Sequence, residues 1–108
     1  MRKGEIWLVG LPYWNGKEQG GNRPAVVLAD TNEGLLIVIP LTSNLQTLKH
    51  SKTLEIKPSE KNCLDTSSVA LIFQIRSLDK RRLIHKIGNL EENYIRQIDE
   101  TIKDLFKL

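Results

Sequence analysis

Apolar residues recur at helical spacing in one part of this chain, its end. Leu90, Tyr94, Ile95, Ile98, Ile102, Leu105 and Phe106 follow at steps of three and four, and Asn89 and Glu92 stand at the spacing of a capping box. That pattern predicts a C-terminal helix from Leu90 onward. Ahead of it the apolar residues come in short runs rich in valine and isoleucine: "GEIWLV" at 4–9, "RPAVVLAD" at 23–30, "GLLIVIPLTS" at 34–43, "TLEIK" at 53–57 and "SVALIFQIRSL" at 68–78. Runs of this length, bounded by glycine, proline, asparagine and serine, read as strands. "TNEG" at 31–34 is short enough to join its neighbours as an antiparallel hairpin. "SVALIFQIRSL" is the longest strand expected, with Gln74 and Arg76 on one face of its end, and "DKRRLIHKIG" reads as a tight turn and a short extended piece. Several short strands followed by one helix fold most simply as a mainly β (α+β) domain, a curled antiparallel sheet or partly open barrel covered by the helix.

The chain has 108 residues, 40% of them hydrophobic, which suits one domain spanning 1–108 with a small core that dimerisation would reinforce. There is no repeat, low-complexity segment or linker. Cys63 is the one cysteine, so an intrachain disulfide is excluded and a cysteine-based metal site is not expected. No leader pattern and no apolar run of membrane length occur, so the expectation is a soluble, cytoplasmic protein. The formal charge is +3, and residues 90–108 hold five acids against three bases, a net of −2, which leaves +5 on the rest. Two readings of this balance stand: a solvated helix face with the remainder of the chain able to meet phosphate, or scattered solubilising charges.

The chain has no P-loop or dinucleotide fingerprint, and no histidine or carboxylate spacing that suggests a metal site, so neither cofactor nor metal is expected. His50 and His85 could form an acid/base pair for RNA cleavage, but each sits in the polar, unpatterned setting of a surface histidine. Arg23 is more informative. It stands between Gly20-Gly21 and Pro24, where a flexible loop meets the start of a strand, so its guanidinium is restricted in direction. Two readings stand at this point: a phosphate-gripping arginine, or one paired with Glu18 on a loop surface. Thr42 brings a hydroxyl to the end of an apolar strand, and Gln74 places an amide in an otherwise apolar one. Trp7 and Phe73 lie within apolar runs and are expected in the core, whereas Tyr13 and Trp14, beside Lys17, could stack on unpaired bases. "DKRRL" offers bases for a nucleic-acid backbone or for a solvated turn.

Taken in order, "GEIWLV", "EQGGNRPAVVL", "VIPLTS", "SVALIFQIRSLDKRRL", "KIGNL" and the amphipathic helix resemble the MazF/PemK family of toxin endoribonucleases over essentially the whole chain. The resemblance implies a small SH3-like barrel of the CcdB/MazF/PemK type and a homodimer. It also implies metal-independent, sequence-specific cleavage of single-stranded RNA, and a cognate antitoxin that occupies the RNA groove. Carried over by position, it makes Arg23 and Thr42 catalytic, gives Glu18 a supporting role, and assigns RNA contacts to Lys3, Gln19, Ser68 and Gln74. A gyrase poison on the same barrel is the alternative from another class, since fold does not settle function. Such toxins depend on a tryptophan-containing C-terminal stretch, and this chain ends "DLFKL". A non-catalytic RNA-binding module is the third reading; the intact Glu18, Arg23 and Thr42 set argues against it.

Overall fold

β1 (Glu5–Leu11), β2 (Gly21–Asp30) and β3 (Leu35–Thr42) run antiparallel in succession, with Ile6 opposite Val26 and Val26 opposite Ile39. The computed structural model describes residues 1–12 and 20–108. The hairpin turn between β2 and β3 is the expected "TNEG": Asn32 and Gly34 take positive φ, and the Asp30 carboxylate accepts the Asn32 N–H at 2.9 Å. β4 (Thr53–Ile56), β5 (Ser68–Leu71), β6 (Arg76–Asp79) and β7 (Leu83–Asn89) complete the strands among the described residues. Their order in the sheet is β4-β5-β3-β2-β1-β7, with β6 also paired to β3.

The stretch "SVALIFQIRSL" is not one strand. Leu41 faces Ala70 and Val38 faces Arg76, so moving three residues along β3 takes six along the other chain segment. The excess is taken up by a 3-10 turn over Ile72–Gln74, whose first two N–H groups donate to the Lys52 carbonyl. One apolar run thus supplies two strands, each on its own half of β3, and the sheet curls between them. Gln74 lies in the turn and Arg76 in β6, so they do not share a strand face.

Both faces of the central strands are covered, which explains why "AVVL" and "LLIVI" are continuous apolar runs without alternation. Ile6, Val26, Ile39 and Leu41 point to one core, shared with Ile56, Ile72, Leu90 and Ile98; Val9, Ala25, Val27, Leu36, Val38 and Leu78 point to a second. Helix α1 (Glu92–Phe106) closes the first core with Ile98, which is fully buried, flanked by Ile95 and Ile102. Full burial of a side chain of this size stabilises by about 1.5–3 kcal/mol. Trp7 packs against the second core as expected, but Phe73 does not enter either core: it is exposed and its ring lies against His50, centroids 5.7 Å apart.

The start of α1 also differs from its sequence pattern. Asn89 is consumed as the last residue of β7, so no capping box forms; Glu91 is the N-cap, without a side-chain cap hydrogen bond. The chain entering the helix is instead tied by its backbone, Leu90 N–H donating to the Gly4 carbonyl at 2.7 Å. Gly4 in turn donates to Val27 at 2.8 Å with φ of +95°, a conformation in which a side chain would be strained and would collide with Ile95. Among the described residues no helix is long and apolar enough to cross a membrane.

Candidate active site

Arg23 is the third residue of β2, opposite Val9 of β1, and is half-buried. β2 begins at Gly21, so Pro24 is inside the strand and not at its first residue; the ladder to β3 starts one residue later, with Ala25 opposite Pro40. Pro24 therefore sits where β3 has not yet paired, and its missing N–H disrupts no β2–β3 bond. Arg23 Nε donates to the Gly20 carbonyl at 3.2 Å, which fixes one edge of the guanidinium fork. Continued beyond its last pair, the β2–β3 register would set Arg23 across from Thr42.

Thr42 ends β3, opposite Val69 of β5, and its residue is 5% exposed. Its Oγ1 accepts the Asn44 N–H at 3.2 Å, so the hydroxyl hydrogen is its remaining donor. Beside it is a cavity of about 140 Å³ walled by Pro24, Thr42, Ser43, Leu64, Asp65 and Ser68, among others. Ser68 opens β5, and its hydroxyl donates to the Thr66 carbonyl at 3.1 Å. The structure thus brings Thr42 and Ser68 together and places Pro24, the residue after Arg23, on the same wall.

The remaining expected positions lie elsewhere. Gln74 is beyond the far end of β5 from Ser68 and does not line this cavity. Lys3 lies in a separate recess of about 520 Å³ with Arg2, Lys61 and Lys86, and its ammonium is held by Asp99 of α1 at 2.8 Å. Glu18 and Gln19, with Tyr13, Trp14 and Lys17, lie outside the described residues. His50 and His85 are both exposed. Among the described residues no three His, Cys, Asp or Glu side chains converge as they would around a metal ion.

Two residues that sequence reasoning passed over shape this end of the molecule. Asn62 is fully buried and organises the loop before β5: its Oδ1 accepts the N–H groups of Ser59 (3.0 Å) and Leu64 (3.1 Å), and its Nδ2 donates to the Lys57 carbonyl (2.9 Å) and to Glu91 (3.2 Å). Asp65, three residues on, is exposed and lines both the Thr42 cavity and a neighbouring one of about 420 Å³. Both stand in "NCLDTSS", which has no periodicity and looks like any polar loop.

A family model described as a PemK-like, MazF-like toxin of type II toxin-antitoxin systems matches residues 2–106. The chain belongs to this family. The toxin is 37% identical, over 94% of its length and 88% of the relative's, to an Endoribonuclease MazF of Staphylococcus saprophyticus. Its fold matches a crystal structure of MazF from Deinococcus radiodurans with a TM-score of 0.79 at 26% identity, covering 98% of this chain and 94% of that one. A MazE-MazF structure from the same organism matches with a TM-score of 0.69 at 25% identity, over 98% and 94%. The curled antiparallel sheet with a C-terminal helix is the architecture these toxins share with it.

Proposed function

We infer that this toxin cuts single-stranded RNA by turning the substrate's own 2′-hydroxyl on the neighbouring phosphorus, with Arg23 and Thr42 acting on the scissile phosphate. It is an endoribonuclease of a type II toxin-antitoxin system, and its protein partner is a cognate antitoxin. The observation that carries the mechanism is the shared wall: Thr42 and Ser68 open into one cavity with Pro24, and Arg23 immediately precedes Pro24 on the adjacent strand.

The 2′-oxygen attacks phosphorus while the bond to the 5′-oxygen breaks. The 2′-proton leaves to a base, the departing 5′-oxygen gains a proton, and the products are a 2′,3′-cyclic phosphate and a 5′-hydroxyl. Arg23 stabilises the charge that grows on the non-bridging oxygens, with its fork held by Gly20. The Thr42 hydroxyl donates to the same phosphate or relays a proton to the leaving oxygen. Glu18 either aligns Arg23 or accepts the 2′-proton. Ser68 holds the RNA beside the cut, Lys3, Gln19 and Gln74 are further RNA contacts, and a homodimer in the cytoplasm is the working form. No metal is required, because the nucleophile belongs to the substrate and the charge is met by a cation of the protein.

The test is cleavage of a mixed single-stranded RNA pool in EDTA by the wild type and by Arg23→Ala. The wild type should cut under chelation, leaving cyclic-phosphate ends. Loss of one preorganised donor should lower kcat by about 10²–10³. Cutting by Arg23→Ala at the wild-type rate overturns the assignment of Arg23, and activity lost on chelation overturns the metal-free step.

A further inference from the structure

The cavity of about 420 Å³ beside the Thr42 site has no role in the cleavage step. It shares Pro24, Leu64 and Asp65 with the smaller cavity, so Asp65 borders both. Its volume lies in the range of about 300–1,000 Å³ typical of small-ligand clefts, and its composition fits the same description. Leu8, Leu64 and Ile87 supply apolar surface, while His85 and Lys86 of β7 and Asp65 of the loop before β5 supply polar groups.

Asp65 is the feature that needs explaining. A carboxylate is a pure acceptor when ionised, and a site for a polyanion gains nothing from a negative charge facing phosphate. Its presence on the border of both cavities is accounted for if the group facing it is a donor. The loop that carries it is anchored by the buried Asn62, whose side chain bonds the backbone on both sides, at Ser59 and at Leu64, next to Asp65. The carboxylate is thus presented from a backbone held in place.

We propose that this cavity is a nucleobase subsite flanking the scissile linkage, and that Asp65 is its specificity-determining residue, accepting a hydrogen bond from the exocyclic amino group of adenine, cytosine or guanine. Uracil presents carbonyl oxygens at those positions and is disfavoured. The base rests on Leu8, Leu64 and Ile87, and Lys86 meets the phosphate that follows it. The proposal rests on the endoribonuclease reading above and adds to it the group that reads one base.

The experiment maps cut sites in a mixed RNA pool for the wild type, Asp65→Asn and Asp65→Ala. It then measures kcat/KM on matched oligonucleotides that carry the preferred cut site and differ in one flanking base. A good side-chain-to-base pair discriminates by roughly 5- to 150-fold, so the wild type should disfavour uracil at one flanking position within that range. Asp65→Ala should lose most of that preference at the wild-type melting temperature, kcat/KM for the favoured bases falling toward the value for uracil, and Asp65→Asn, whose amide can also donate to a uracil carbonyl, should relax it. Variant cut maps that superimpose on the wild type overturn the proposal. A fall in kcat that is uniform over all flanking bases also overturns it, assigning Asp65 to the cleavage step. A wild type that cuts no RNA at all refutes the endoribonuclease reading itself, an outcome distinct from either.

Discussion

If Arg23 grips the scissile phosphate as proposed, placement matters as much as chemistry. The guanidinium brings a planar fork of donors; the backbone supplies direction, through the Gly20 carbonyl on Nε and the β2 strand on either side. Asp79 shows the electrostatics in a simpler setting. The Arg81 side chain and backbone N–H both donate to its carboxylate, the former at 2.9 Å, and lower it from an ordinary 3.8 to about 2. A depressed carboxylate contributes stability that is complete above its unfolded value and is lost as pH falls through the folded one. The gap in urea midpoint between the wild type and Asp79→Asn should therefore be constant above about pH 4 and should shrink toward about pH 2. A gap unchanged across that window would contradict the pairing.

At the scale of elements, the loop between β4 and β5 and helix α1 carry different kinds of stability. Asn62, itself fully buried, satisfies the buried Leu64 N–H and two partly buried backbone groups, at Lys57 and Ser59, and Gly88 of β7 lies so close to its carbonyl that an added Cβ would collide with backbone. Asn62→Ala leaves those groups without partners and should destabilise by on the order of 3 kcal/mol, read as a lower urea midpoint at unchanged slope. Ile98→Ala removes the one fully buried residue of α1 from the first core and should cost about 2–5 kcal/mol. The two should differ in a second measurement: Asn62→Ala lowers kcat/KM for RNA because the loop bearing Asp65 loosens, whereas Ile98→Ala leaves kcat unchanged while folded.

For the molecule as a whole, the decisive chemical expectation concerns the substrate. If the 2′-oxygen is the nucleophile, replacing the single ribose on the 5′ side of the cut by deoxyribose should abolish cleavage there and weaken binding by no more than roughly tenfold, since one hydroxyl among many contacts is worth about 0.5–1.5 kcal/mol. Gel analysis of a singly substituted oligonucleotide decides this. Cleavage at the substituted site would require another nucleophile.

The strands of the central sheet, the "TNEG" hairpin and α1 were legible in the chain because local patterns encode them: apolar runs, turn residues and a period near 3.6 act over a few neighbours. Arg23 and Thr42 could also be singled out, as a guanidinium and a hydroxyl at the mouths of apolar strands. What local pattern could not supply was the break in "SVALIFQIRSL", since the three extra residues of Ile72–Gln74 are demanded by the partner strand β3 and not by their own propensity. The same holds for Phe73, apolar yet left outside, and for Asn89, drawn into β7 before it could cap the helix. Asp65 and Asn62 stand in a loop with no periodicity, and their importance arises only when β5, β7 and α1 are folded around them. Sequence by itself settled which segments would bury their side chains, a matter of nearest-neighbour chemistry. Which polar groups would meet was decided by tertiary pairing, because contacts between residues far apart in the chain exist only once the sheet has its register.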